Sequence, residues 1–171
     1  VAEIDDYVII MFNYRLATYN DLLKPLPHIK PNLSGVELRG ISYVLDKKTS
    51  EVMNTYIMLN KFWNLNETLE TQYDNIVNNY KIKAIHNKED GSMVRFIRLP
   101  NGKVLSKTKG SIDNEICIQC NKIYKENETI NNLINWSLDN EIVLIFEFVS
   151  PFNKIVLDYN ETKLILLKAR D

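Results

Sequence analysis

The sequence predicts an α+β fold in which antiparallel sheets are flanked by helices. Apolar runs with strand-like alternation are joined by turn sequences, of which Asp90-Gly91 and Pro100-Asn101-Gly102 are the clearest. A few segments with helical apolar spacing are set between these runs and do not alternate with them one by one. This arrangement is typical of α+β domains with antiparallel sheet.

Length and composition indicate one ordinary globular domain. The chain has 171 residues, 45% hydrophobic and 25% charged, with a formal net charge of −1. That charge gives no overall attraction to nucleic acid, so any such contact requires a local patch. No window approaches the roughly 18 apolar residues of a membrane span, and no signal peptide is visible at the start. We therefore expect a cytoplasmic protein, of viral or host origin.

The first part of the chain is expected to form strands around a short helix. Thr18 can cap this helix, which Pro25 ends, and the proline-containing stretch 25–35 is expected to be a loop. Lys61-Phe62-Trp63 follows the strands. Two adjacent aromatic residues beside a lysine can form a base-stacking wall, but such pairs more often belong to the core. The strands of this part are predicted over 6–14, 37–46 and 51–59.

The middle of the chain is organised around Lys88. A helix is expected over 67–80 because its apolar residues recur at helical spacing. Alternating runs over 82–86 and 93–99 flank Lys88-Glu89-Asp90-Gly91-Ser92, which places Lys88 at a strand–turn–strand corner. The second turn then leads to a returning strand over 103–109.

The last part is expected to add two helices, over 113–124 and 128–138, and the remaining strands. Cys117 and Cys120 share one helix face with apolar neighbours, so we expect them to be small core residues in a reducing compartment. The apolar run 142–149 is expected to be a central strand. A closing strand pair is predicted over 154–158 and 163–168.

Positive charge is concentrated between Lys81 and Lys109. Eight bases and two acids give this stretch a charge of +6 (8 − 2) within a chain of net charge −1. A ribbon of that sign is a candidate for phosphate binding. The alternative is a solvated, lysine-rich surface with no ligand.

Glu147 is a carboxylate inside the expected central strand. Burying it is costly unless it is paired, hydrogen-bonded or bound to a metal. Two interpretations remain open from the sequence: a core arginine such as Arg39 satisfies it, or it faces a ligand.

Lys88 is a candidate nucleophile, although a lysine at a turn is more commonly an ordinary surface residue. A lysine attacks as the free amine, and nearby cations such as Lys107 and Lys109 disfavour its ammonium form. The same cations, with a divalent metal, would hold a triphosphate and stabilise a departing pyrophosphate. The combination indicates nucleotidyl transfer through a covalent lysyl–nucleotide.

Several runs resemble, in order, the phage-type RNA ligase 1 family, which belongs with DNA ligases and capping enzymes among the covalent nucleotidyltransferases. They are Phe12-Asn13-Tyr14 to Asp21, Glu37-Leu38-Arg39-Gly40-Ile41, Lys61 to Glu67, Lys88 to Ser92, Ser106-Lys107-Thr108-Lys109-Gly110-Ser111, Phe146-Glu147-Phe148-Val149-Ser150-Pro151 and Lys154 to Leu167.

The resemblance implies an ATP-dependent RNA ligase with an ATP-grasp-like nucleotidyltransferase fold. Lys88 would take AMP from ATP and pass it to a 5′-phosphate of RNA, which a 3′-hydroxyl then attacks, in repair of broken RNA, often tRNA. Glu147 would lie near the ribose and Mg²⁺. The other residues that the resemblance places around ATP and its phosphates are Arg39, Lys61, Gly91, Lys107 and Lys109.

Two family motifs do not follow the last match: a Glu-Gly motif that holds metal and a Lys-x-Lys motif that contacts phosphates. Residues 1–171 are therefore expected to be the N-terminal portion of an adenylyltransferase domain, partnered by a C-terminal remainder of the same protein. The alternative is a truncated or degenerate module that binds nucleotide or RNA without turnover.

Overall fold

The computed structural model describes residues 1–15, 17–23 and 35–170, which fold as two antiparallel four-stranded sheets with a few helices. This confirms the α+β class. The first sheet has the order β1-β2-β3-β4, with strands Ala2–Ile4, Tyr7–Asn13, Arg39–Asp46 and Val52–Tyr56. The second has the order β6-β5-β7-β8, with β5 Ser92–Arg98, β6 Val104–Lys107, β7 Val143–Val149 and β8 Lys163–Arg170.

The helices are α1 Tyr19–Leu23, α2 Tyr73–Asn79, α3 Glu115–Glu126 and α4 Glu128–Asp139, with a 3₁₀ turn at Gly35–Glu37. Asn114 and Asn127 cap α3 and α4 by accepting backbone N–H bonds with their side chains. Thr18 accepts the N–H of Asp21 at 3.3 Å, as expected for the start of α1. No helix among the described residues combines the length and apolarity needed to cross a membrane.

Turn chemistry sets the hairpins. Between β3 and β4, the Asp46 carboxylate accepts the N–H groups of Lys48 and Thr49, each at 2.8 Å. Between β5 and β6, Gly102 has φ +87°, a conformation that an L-residue adopts only with strain. The predicted hairpin turn at Pro100-Asn101-Gly102 is confirmed and brings β6 back beside β5. The predicted hairpin at Asp90-Gly91 is wrong, because the segment before β5 is not a strand.

The two largest apolar clusters of the described residues hold the layers together. One packs α3 and α4 on the second sheet and includes Phe96, Cys120 and Phe146. Cys117 and Cys120 are buried and free, which confirms their predicted place in the core. The other cluster joins the two sheets, with Ile9 and Val44 from the first and Ile97, Leu99 and Leu105 from the second.

Some predicted elements are wrong. The stretch 82–86 is not a strand, and Ile82 and Ile85 are 60% and 88% exposed, because no neighbouring strand pairs with this segment within the described chain. The stretch 154–158 is not a strand either, since the N–H groups of Val156 and Leu157 are bound by the Asp90 carboxylate.

Other boundaries also differ. The helix expected over 67–80 is restricted to Tyr73–Asn79 and buries none of its residues. β4 ends at Tyr56, and β1 was not predicted. The loop expected over 25–35 lies, apart from Gly35, outside the described residues.

Candidate active site

A cleft of about 870 Å³ lies where β3 of the first sheet approaches the second sheet. Asn13 and Arg39 line it from the first sheet, and Phe62 lines it from the chain that follows β4. The second sheet and the segments that join it contribute Lys88, Gly91, Met93, Lys109 and Glu147. The cleft thus collects an amine, two further cations and two carboxylates, Glu89 and Glu147, from segments far apart in sequence.

Lys88 reaches this cleft by a different route from the predicted one. It is exposed and lies in an irregular segment just before β5, so it does not occupy a hairpin corner. Asp90, which is only 8% exposed, anchors the segment. Its carboxylate accepts the N–H of Leu157 at 2.7 Å and that of Val156, while its own N–H donates to Tyr159 Oη at 2.9 Å.

These hydrogen bonds from Leu157 and then Val156 hold the pKa of Asp90 below its ordinary value, because they stabilise the charged carboxylate. Tyr159 Oη also donates to the Glu89 carboxylate at 3.0 Å, so it binds two successive residues of this segment. The loop after β7 therefore fixes the residues next to Lys88. Sequence reasoning assigned Asp90 only to a turn and missed this anchoring role.

Gly91 brings the Lys88 segment against β7. Its N–H donates to Glu147 Oε1 at 3.0 Å. An ideal Cβ at Gly91 would lie 2.2 Å from the Phe148 carbonyl oxygen, far inside any normal contact. Only glycine allows this approach, so Gly91 places Lys88 and Glu147 in one cleft.

Glu147 faces the cleft, which favours the ligand-facing interpretation. Burial in the central strand raises the pKa of its carboxyl group, while the Gly91 hydrogen bond and the charges of Lys88 and Arg39 oppose that shift. Within the described chain, Arg39 forms no salt bridge with Glu147; its guanidinium lies 5.1 Å from the centre of the Phe62 ring. Arg39 therefore acts on Glu147 through the field of its charge.

The aromatic pair at 62–63 is divided between two environments. Phe62 is 56% exposed and lines the cleft, so its predicted core position is wrong. Trp63 is half-buried and contacts the Tyr19 ring, with 5.1 Å between centroids. Lys61 Nζ lies 4.4 Å from the Trp63 ring centre and 3.8 Å from Glu67 Oε1. Lys61 does not line the cleft.

The two lysines expected to flank the phosphates also lie in different environments. β6 ends at Lys107, and the Thr108 N–H bond to Ser111 O at 2.8 Å begins a turn that exposes Lys109 at the cleft. Lys107 is completely buried, and its Nζ donates to Gly40 O at 2.6 Å. Lys107 was expected to share the cleft with Lys88, but it does not line the cleft, because β6 directs the Lys107 side chain into the space between the sheets.

The predicted positive ribbon is accordingly only partly a surface. Arg95 and Lys107 are buried in the core. Arg98 pairs with Asp139 at 2.5 Å, and Lys103 pairs with Asp5 at 3.1 Å. The bases of this stretch that remain exposed without an ion pair in the described structure are Lys81, Lys83, Lys88 and Lys109.

A metal ion would find few protein ligands here. Among the described residues, no three His, Cys, Asp or Glu side chains are grouped as a metal site. Glu147 and Glu89 are the carboxylates that line the cleft. A cation bound at Glu147 would therefore complete its shell with oxygens of a bound ligand and water, as Mg²⁺ commonly does.

Comparison with known proteins gives matches over most of the chain. A family model described as RNA ligase matches residues 37–171, and this region contains every cleft residue named above except Asn13. A protein of Thermovibrio ammonificans (strain DSM 15698 / JCM 12110 / HB-1), named "Putative RNA ligase", is 28% identical over 135 residues. The match covers 79% of this chain and 34% of that relative, so the chain spans about a third of the relative's length.

Proposed function

The chain belongs to the phage-type RNA ligase 1 family, and on that premise we propose that its cleft forms a covalent adenylate between ATP and Lys88. One observation carries the proposal: Lys88, Arg39, Lys109 and Glu147 line the same cleft of about 870 Å³. An accessible amine in a cleft that also holds two cations is suited to attack a bound phosphate.

The step balances as a displacement at phosphorus. Lys88 loses a proton to solvent, and its Nζ attacks the α-phosphorus of ATP. A nitrogen–phosphorus bond forms, the bond from the α-phosphorus to the bridging oxygen breaks, and pyrophosphate leaves with the electron pair. Because negative charge builds on the departing oxygens, cations placed beside them lower the barrier.

We assign Arg39 and Lys109 to the phosphates and Glu147 to the ribose and metal side of the cleft. Gly91 supports Glu147 through its backbone N–H. Mg²⁺ fits as an ion carried by the triphosphate with Glu147 as protein ligand, where it would neutralise phosphate charge. Lys61 and Lys107 are not in this set, because Lys61 faces Trp63 and Glu67 and Lys107 binds Gly40 O.

For the whole protein we propose ATP-dependent joining of RNA ends, as in repair of broken RNA including tRNA. Residues 1–171 would form the N-terminal portion of an ATP-grasp-like adenylyltransferase domain, since the match covers only 34% of the relative. A 5′-phosphate oxygen of RNA would attack the adenylate phosphorus and free the Lys88 amine. The 3′-hydroxyl of the second end would then attack that 5′-phosphate, releasing AMP.

The test is incubation of the chain with Mg²⁺ and ATP radiolabelled at the α- or the γ-phosphate. We expect protein-bound label from the α-phosphate only, labile in acid and stable in alkali, as a phosphoramidate requires. Lys88→Ala should abolish it. Lys83→Ala, which removes another exposed lysine of the same segment, should retain it.

Label that persists in Lys88→Ala would contradict the assignment of the nucleophile. Absence of label, together with a rise in Tm on adding ATP, would favour the alternative of a nucleotide- or RNA-binding module without turnover. If neither label nor stabilisation is observed, the interpretation that remains is a small domain whose basic segment contacts another partner.

A further inference from the structure

Lys107 is a buried cation that the proposed reaction does not use. It is completely buried, and no carboxylate of the described chain lies within salt-bridge distance. Its Nζ donates to Gly40 O at 2.6 Å and lies 3.2 Å from Met58 Sδ. Its cross-strand neighbour in the β5–β6 ladder is Arg95, a second buried cation.

A buried lysine is a costly side chain at a position that serves only the stability of the fold. Burial, and then the charge of Arg95, lower the pKa of Lys107 to about 7. An apolar side chain of similar length would fill the same space without the cost of desolvating an amine. The hydrogen bond to Gly40 is therefore the specific property that lysine contributes at this position.

Gly40 is the irregular residue at the edge of the cleft. The β2–β3 register shifts between Phe12 and Asn13, opposite Ile41 and Arg39, which leaves Gly40 as the extra residue of a bulge with φ +93°. A Cβ at Gly40 would lie 2.7 Å from Met58 Sδ and 3.0 Å from Lys109 Cα. The bulge is thus packed against the backbone of the second sheet, directly beside two cleft cations.

We propose that Lys107 is a positioning residue, whose bond to the Gly40 carbonyl ties the first sheet to the second beneath the cleft and sets Arg39 opposite Lys109. The inference rests on the proposed function for its catalytic consequence, but the tie itself is a structural claim. Arg39 directly precedes Gly40, and a single turn residue separates Lys109 from Lys107. Loss of the tie would let the two walls of the cleft move relative to each other.

The experiment compares Lys107→Met, whose unbranched side chain is one atom shorter and lacks the donor, with Lys122→Met on the exposed surface of α3. Hydrogen–deuterium exchange by mass spectrometry reads the tie directly. We expect exchange to rise at least tenfold in peptides covering 38–44 and 107–111 of Lys107→Met. Peptides from α4 should change less than twofold, and Lys122→Met should match the wild type throughout.

The catalytic arm measures adenylate formation at saturating ATP. We expect Lys107→Met to be at least tenfold slower than wild type and Lys122→Met to be unchanged. Exchange in 38–44 that stays within twofold of wild type, or that rises equally in α4, would overturn the positioning role. Absence of adenylate in wild type would instead contradict the proposed function, and the exchange data would still decide whether the tie exists.

Discussion

Replacement of Gly91 by alanine tests how closely the Lys88 segment must approach β7. The added Cβ would lie 2.2 Å from the Phe148 carbonyl oxygen, whereas a relaxed carbon–oxygen contact requires about 3.3 Å. The segment must therefore move by about 1 Å, which would stretch the 3.0 Å bond from the Gly91 N–H to Glu147. Misplacement of about 1 Å can slow an enzyme by roughly 10²-fold.

The same substitution should destabilise the fold by about 1–3 kcal/mol, as overpacking usually does. For a domain of this size we expect Tm to fall by roughly 2–12 °C. The assay is the single-turnover rate of adenylate formation at a temperature well below both Tm values. Gly102→Ala is the control, because Gly102 lies in the β5–β6 turn with positive φ and open space around it. It should lower Tm without slowing adenylation.

Adenylation of Gly91→Ala at a rate within threefold of wild type would refute this reasoning. It would mean that the backbone at 91 can move away from β7 without displacing Lys88 from Glu147. A loss of rate in Gly102→Ala equal to that in Gly91→Ala would also refute it, because both effects would then reflect stability alone.

Three further predictions follow from contacts around the cleft and core. Hydrogen bonds hold the pKa of Asp90 below its ordinary value of 3.8, so the stability that they contribute is complete above pH 3.8 and is lost as the pH falls through the lowered pKa. The difference in Tm between wild type and Asp90→Asn should therefore be widest near pH 7 and shrink toward pH 3. Phe62→Ala should change stability by less than about 0.5 kcal/mol but raise the KM for ATP, because Phe62 lines the cleft beneath Arg39; an unchanged KM would exclude it from binding. Cys120 is completely buried and burial raises the pKa of its thiol, so iodoacetamide should modify it only in denaturant, and native labelling would contradict its core position.

The helices of the second half were predictable because their signals are local. The stripe of apolar residues that includes Ile134 and the caps Asn114 and Asn127 act within a few residues. The hairpin turn at Gly102 is equally local. By contrast, alternation over 82–86 predicted a strand that the structure lacks, because a strand also requires a neighbour with free hydrogen-bonding groups.

The candidate site was predicted in part for the same reason. Lys88, Gly91, Lys109, Arg39 and Glu147 were all selected from the sequence, and the structure places them in one cleft. Lys107 was selected with them, yet it lies in the core. Two lysines separated by one residue share a face only while the strand continues, and β6 ends between them.

The sequence by itself determined the α+β class, the hairpin turn at Pro100-Asn101-Gly102 and the two helices of the second half, and it singled out the segment around Lys88, because each depends on interactions between residues close in the chain. Only the tertiary structure decided which charges meet. Asp90 binding the loop after β7, Gly91 closing on Glu147 and Lys107 reaching Gly40 across two sheets all join residues more than 50 positions apart. Such contacts depend on how the sheets pack, and packing is a property of the whole chain that no local pattern records.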